Sequence, residues 1–112
     1  MVKVLFVLWS ANVGVFTHVM MNVLDFNDKG HDVGLVFESE SCKLIAEYEE
    51  KKNEKYDKIK ENNLIASVCK VCAQAMNSLE SAQRQNLPID DALWGHTPLE
   101  QWAKKGFQII SC

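Results

Sequence analysis

Residues 2–9 read Val-Lys-Val-Leu-Phe-Val-Leu-Trp, an apolar run interrupted only by Lys3. The run does not alternate, so both of its faces must be covered, as in a strand inside a parallel sheet. A parallel neighbour needs a crossover segment, and the sequence supplies one at once. After the polar break Ser10-Ala11-Asn12, the stretch Val15–Asp28 places Val15, Phe16, Val19, Met20, Val23 and Leu24 on one helical stripe. Lys29-Gly30 closes that helix, with Gly30 suited to a left-handed C-terminal position. Asp32–Glu38 then predicts a second strand.

The same alternation continues. Ser39–Ser41 reads as a turn and helix start, and Leu44, Ile45 and Tyr48 mark a short helix. The charge run Glu49–Lys60, broken near Asn53, reads as a solvated helical face anchored by Tyr56 and Ile59. Leu64–Val68 predicts a third strand running into Cys69, followed by one helix over Val71–Gln85 and a loop over Ile89–His96. Thr97-Pro98-Leu99-Glu100 predicts a capped helix: Thr97 caps, Pro98 takes the first helical position and Glu100 completes a capping box. Lys104-Lys105-Gly106 ends that helix, and Phe107–Ser111 is the last strand, ending at Cys112. The order β-α-β-α-β-α-α-β predicts one α/β domain over residues 1–112. Its expected form is a flavodoxin-like three-layer sandwich, a small parallel sheet in the order 2-1-3-4 with helices on both faces.

Charge and length narrow the function classes. With 12 basic and 15 acidic residues and a net charge of -3, the chain lacks the basic surface of a nucleic-acid binder. No stretch reaches the roughly 18 apolar residues that span a membrane. The N-terminal run stops at Ser10 without a small-residue cleavage site, so no signal peptide is read there and the expected compartment is the cytoplasm. Four cysteines in that compartment are expected as reduced thiols.

In a parallel sheet the loops after the strands gather on one edge, and ligands bind where the strand order reverses. For the order 2-1-3-4 that edge carries Ser10, Asn12 and the segment Cys69-Lys70-Val71-Cys72, with His96 and Cys112 as further pocket candidates and Cys42 at the helix start after strand two. Cys69 and Cys72 form a Cys-x-x-Cys motif at a strand-to-helix junction, where helix N–H groups favour thiolate over thiol. Against that stands a packing role, because Cys72 also fits the apolar stripe of its helix and free cysteine is often buried. A structural zinc site needs four ligands, and a lone Cys-x-x-Cys supplies two. The others would have to come from Cys42, Cys112 or His96 on separate loops, so no metal is expected, and no cofactor motif such as a glycine-rich phosphate loop is present. A thioredoxin-type role is disfavoured because the motif follows the third strand. His18 lies off the core stripe and His31 in a turn, both expected to be exposed. His96, before Thr97, is either a proton donor or ligand, or a loop histidine bound to backbone.

These residues resemble the DsrE-like family, small sulfur-relay proteins that include DsrE/DsrF and TusD-type subunits. The resemblance covers essentially the whole chain and rests on three short stretches. They are the first strand and helix leading through Lys29-Gly30-His31-Asp32-Val33, then Leu64–Ala73 with its two cysteines, then Leu87-Pro88-Ile89-Asp90-Asp91 followed by Trp94-Gly95-His96. It implies a flavodoxin-like fold, homo-oligomers such as trimers or hexamers, and sulfur donor or acceptor proteins as partners. It also implies persulfide carried on Cys72 or Cys69. The chain departs from the relay subunits at Met76–Glu80, where an arginine- and glycine-containing stretch is absent. The resulting expectation is a sulfur carrier or sulfurtransferase-like protein, the alternative being a non-enzymatic oligomeric module that binds a small ligand or metal.

Overall fold

In the computed structural model, which describes residues Met1–Cys112, the apolar runs pair into one all-parallel sheet. Its strands are β1 (Lys3–Leu8), β2 (Asp32–Phe37), β3 (Ile65–Cys69), β4 (Ile89–Asp90) and β5 (Gln108–Ser111). The helices are α1 (Val13–Asp28), α2 (Lys43–Glu50), α3 (Glu54–Glu61), α4 (Lys70–Ala75), α5 (Leu79–Arg84) and α6 (Glu100–Ala103). A 3-10 turn over Ser39–Cys42 precedes α2.

The strand order is β4-β3-β2-β1-β5, which corrects the expected 2-1-3-4 arrangement. β3 pairs with β2 and not with β1, and the last strand flanks β1 on the other side. The reason lies in β2. Val33, Leu35, Val36 and Phe37 are all buried, which suits a strand with neighbours on both sides and not the edge position of the expected order. The edges go to β4, with two residues, and to β5, none of whose residues is fully buried.

This order also sets the layers. From β1 to β4 the sheet grows in one direction, and right-handed crossovers then place all the intervening helices on one face. The return to β5 reverses direction and puts α6 alone on the other. The two cores agree. Val4, Phe6 and Leu8 of β1 pack with Phe16, Met20, Leu44, Tyr48 and Tyr56 in the larger core. Leu5 and Val7 face the opposite way, against Leu99, Trp102 and Phe107.

Three local expectations are corrected. The single helix expected over 71–85 is broken into α4 and α5 at Asn77, whose φ of 56° is left-handed. Ser78 N–H donates to Ala73 O at 2.8 Å and Asn77 N–H to Gln74 O at 3.1 Å, the paired bonds of a Schellman end. Thr97 does not cap α6, whose N-cap residue is Leu99. The Thr97 hydroxyl is buried instead against Ser67 of β3, 3.0 Å from its Oγ. Helix α1 begins at Val13, two residues earlier than expected, because the Asn12 side chain accepts the Val15 N–H at 3.0 Å. Asn53 caps α3 in the same way, accepting from Tyr56 N at 3.0 Å, and so breaks the charge run where expected.

Phe16 is the hub of the larger core. Its ring makes edge-on contacts with Phe37, Tyr48 and Tyr56, with centroids 5.7, 4.9 and 6.3 Å away. Phe16→Ala should therefore cost about 3–5 kcal/mol, read as a lower urea midpoint with an unchanged slope. A loss below about 1 kcal/mol would mean that neighbouring rings close the cavity.

Candidate functional site

The carboxyl edge of the sheet collects four side chains from four places in the chain. Glu38 follows β2, Cys69 ends β3, Cys72 lies in α4, and His96 lies in the loop after β4. Their donor atoms all lie within 4.8 Å of one another. Cys69 Sγ is 3.0 Å from His96 Nδ1, and Cys72 Sγ is 3.6 Å from the same nitrogen. The Cys72 thiol points at Glu38 Oε2 over 4.0 Å. Cys69 is fully buried, Glu38 is 4% exposed, and Cys72 and His96 are half-buried.

Glu38 and His96 are pinned by backbone chemistry. Glu38 N–H donates to Leu8 O at 3.0 Å, and the Ser41 hydroxyl sits 2.6 Å from both Leu8 O and Glu38 O. That buried hydroxyl ties the ends of β1 and β2 together and holds Glu38 at the edge. His96 is held by a two-residue hairpin. Leu93 N–H donates to His96 O at 3.0 Å and His96 N–H to Leu93 O at 2.8 Å, around Trp94 and Gly95. Both central residues have positive φ, 47° and 89°, as a type I′ turn demands. The hairpin docks on α4, where Val71 N–H donates to Gly95 O at 3.0 Å.

Left-handed residues elsewhere have a plain account. Gly30, Asn63, Asn77, Asn86 and Gly106 are helix ends, each followed by a residue whose N–H reaches back to close the last turn. The remaining three are Ser39, Trp94 and Gly95, and all border the four-donor cluster. A non-glycine residue in that region costs about 1–2 kcal/mol, and such strain collects at functional sites.

Burial shapes the electrostatics. Glu38 sits above the usual carboxylate range because its carboxyl is desolvated; the Cys69 thiol, the His96 charge and the Thr97 N–H oppose that more weakly. No lysine or arginine pairs with it. Burial pushes the Cys69 thiol up to about 12, reinforced by the nearby Cys72 and Glu38. Cys42, buried behind the cluster, is also pushed well up by desolvation and by the two neighbouring thiols. Its thiol donates to Phe37 O over 3.6 Å and is turned toward backbone. The helix that follows Cys69 has only six residues, so the expected long helix dipole behind the motif is not there.

Of the sequence candidates, the fold brings Cys69, Cys72 and His96 into one cluster. Ser10 and Asn12 serve the start of α1: Ser10 Oγ accepts the Asn12 N–H at 3.0 Å, and Asn12 is the cap. Cys112 follows β5, where its carbonyl accepts the Trp9 N–H at 2.7 Å and its thiol, raised by desolvation, packs on the larger core. His18 is exposed, and His31 is half-buried and accepts the Val2 N–H at 3.0 Å. Glu38 escaped the count of ligands along the chain. Its signal is an acidic residue closing an apolar strand on the same edge as Cys69.

The fold matches that of a conserved protein of unknown function from Bacteroides thetaiotaomicron. The match covers 98% of this chain and 95% of the other, with a TM-score of 0.69 and 20% identity. At that identity the likeness speaks to the fold. No family model and no curated protein matches the chain. No helix is long and apolar enough to cross a membrane.

Two outcomes follow. A Cβ at Gly95 would lie 2.2 Å from Val71 Cγ2 at a φ of +89°. Gly95→Ala should therefore lift the hairpin from α4, costing about 1–3 kcal/mol in urea unfolding and displacing His96 from the thiols; an unchanged midpoint would show that Val71 yields freely. The second outcome concerns pH. Unfolded thiols ionise near about 8.5, while Cys69 in the folded, metal-free chain keeps its proton to about 12. The native state thus binds more protons above pH ~8.5, and stability should fall as pH rises. The urea midpoint in chelator should be lower at pH ~10 than at pH ~7.5; a midpoint that rises over that interval would contradict the burial of these thiols.

Proposed function

We propose that the protein binds a borderline-soft divalent metal ion, zinc by preference, through Cys69, Cys72, His96 and Glu38. The observation that carries this is the convergence of two thiols, one imidazole nitrogen and one carboxylate within 4.8 Å, with no basic side chain paired to the carboxylate. Buried acids without a partner are costly, and a cation at their centre removes the cost. Sulfur and nitrogen ligands of one tetrahedral zinc lie about 3.6 Å apart, given bonds of about 2.3 and 2.0–2.1 Å. The sulfur–nitrogen separations here are 3.0 and 3.6 Å. Thiolates and imidazole select zinc over magnesium or calcium. Four protein donors suit a closed site that braces β2, β3, α4 and the 93–96 hairpin against one another.

A second reading keeps the sulfur-carrier expectation, and one observation favours it: Cys72 is the more exposed of the two thiols and stands 3.6 Å from His96 Nδ1. In that reading the Cys72 thiolate attacks the outer sulfur of a donor persulfide. The donor leaves as a thiolate and Cys72 holds the persulfide, with Cys69 poised to release it as hydrosulfide by closing a disulfide.

One experiment separates the readings. Metal-free protein is titrated with zinc, and with cobalt for its absorption spectrum, beside intact-mass measurement after a sulfane-sulfur donor. Binding of one ion per chain is expected, with a tetrahedral cobalt–thiolate spectrum and a raised melting temperature. Cys69→Ser and Cys72→Ser should abolish the thiolate signature, and Glu38→Gln should weaken binding by about 10–100-fold. A mass gain of one sulfur, lost in Cys72→Ser, together with no metal uptake, would transfer the assignment to the carrier.

A further inference from the structure

Beside the four-donor cluster, a cleft of about 470 Å³ opens between the end of β1 and the segment 93–100. That volume falls within the range of small-molecule sites, about 300–1,000 Å³. Its walls are the side chains of Trp9, Leu93, Trp94 and Leu99. Trp9 and Leu93 are 42% and 43% exposed, and Trp94 is 91% exposed. The Trp94 indole is therefore not held out for packing within this chain, yet its backbone is kept in the left-handed region by the hairpin. An exposed aromatic on a constrained turn is a preorganised contact surface.

The charge around the cleft selects among ligands. Its acidic side chains are Glu100, which is exposed and has no salt-bridge partner, and the nearly inaccessible Glu38, which burial favours in its protonated form; His96 of the cluster also borders it, and no lysine or arginine lines it. Indole faces are electron-rich and attract cations. An anion would meet repulsion from the Glu100 carboxylate and from the indole faces. A neutral apolar molecule would use the walls and ignore the carboxylate. A cation with an apolar body uses both.

We propose that this cleft binds an organic cation, a substituted ammonium ion with an apolar body, seated against Trp9 and Trp94 and facing the carboxylate of Glu100. The inference stands apart from the metal reading. A divalent ion held by two thiolates and Glu38 leaves the cluster net negative, so the attraction for a cation persists. Without that ion, Glu100 still supplies the counter-charge.

The test uses the full chain, once in chelator and once loaded with zinc, titrated with benzyltrimethylammonium by calorimetry and tryptophan fluorescence. Benzyl alcohol and benzoate are the neutral and anionic comparisons. Saturable binding of the cation is expected in both arms, roughly tenfold tighter than the alcohol, with no binding of benzoate. Trp94→Leu keeps an apolar wall and removes the aromatic face, and its exposed position spares the fold. It should lose about tenfold for the cation and little for the alcohol. Glu100→Gln should weaken the cation alone. Equal affinity for cation and alcohol, an unchanged Trp94→Leu, or no saturable binding of the cation in either arm would overturn the proposal.

Discussion

A parallel strand can rejoin its sheet only by crossing over one face, and for L-amino acids that crossover is right-handed. In this chain three crossovers run the same way, from β1 through β2 and β3 to β4, and the fourth returns past β1 to β5. The loops that leave β2, β3 and β4 are therefore neighbours along one edge. Glu38, Cys69 with Cys72, and His96 sit at or just beyond the ends of those three strands, in that order. Residues separated by as many as 58 positions in sequence meet because the strands that carry them are laid side by side. Had β3 paired with β1, β2 and Glu38 would have stood away from the thiols, and the cluster would not exist.

That dependence explains what could be read beforehand. The strands and α1 were legible because each is a long apolar run or a 3.6-residue stripe, and Gly30 and Gly106 marked their helix ends. The α/β class and the gathering of cysteines on one edge followed from alternation alone. Strand order was harder, because pairing is not local; yet the unbroken burial of Val33–Phe37 was a signal that β2 is an interior strand. Asn77 was overlooked as a helix stop because asparagine can occupy the left-handed position usually given to glycine. Thr97 offered a complete capping motif, but its hydroxyl found Ser67 across the sheet, and a buried partner outweighed a local one. Glu38 carried no motif. Its role becomes visible only when the neighbouring strand end is known.

The backbone strain points to the same edge. Five of the eight left-handed residues end helices, where the chain must turn and closing hydrogen bonds stabilise the turn. Ser39, Trp94 and Gly95 end no helix. Ser39 directly follows Glu38 and directs the chain into the turn that carries Ser41. Trp94 and Gly95 aim the next residue, His96, back toward the sulfurs. The two non-glycine left-handed residues that end no helix, Ser39 and Trp94, thus lie within two residues of a donor.

The balance of charge decides how such an edge can persist. Glu38 is nearly inaccessible, and two thiols and an imidazole crowd it without a lysine or arginine. In the absence of a cation, protons must fill the gap, which is why burial raises both Glu38 and Cys69. Protons and a metal ion compete for the same atoms, so the burial that makes Cys69 a poor free nucleophile leaves it a good metal ligand once a cation displaces its proton. The cleft continues this logic outward. Glu38 borders both the cluster and the cleft, and Glu100 supplies the exposed carboxylate on the outer side. Whatever occupies the inner position, the outer one keeps the exposed Glu100 beside Trp9 and Trp94, where positive charge is stabilised by a carboxylate and by π faces together.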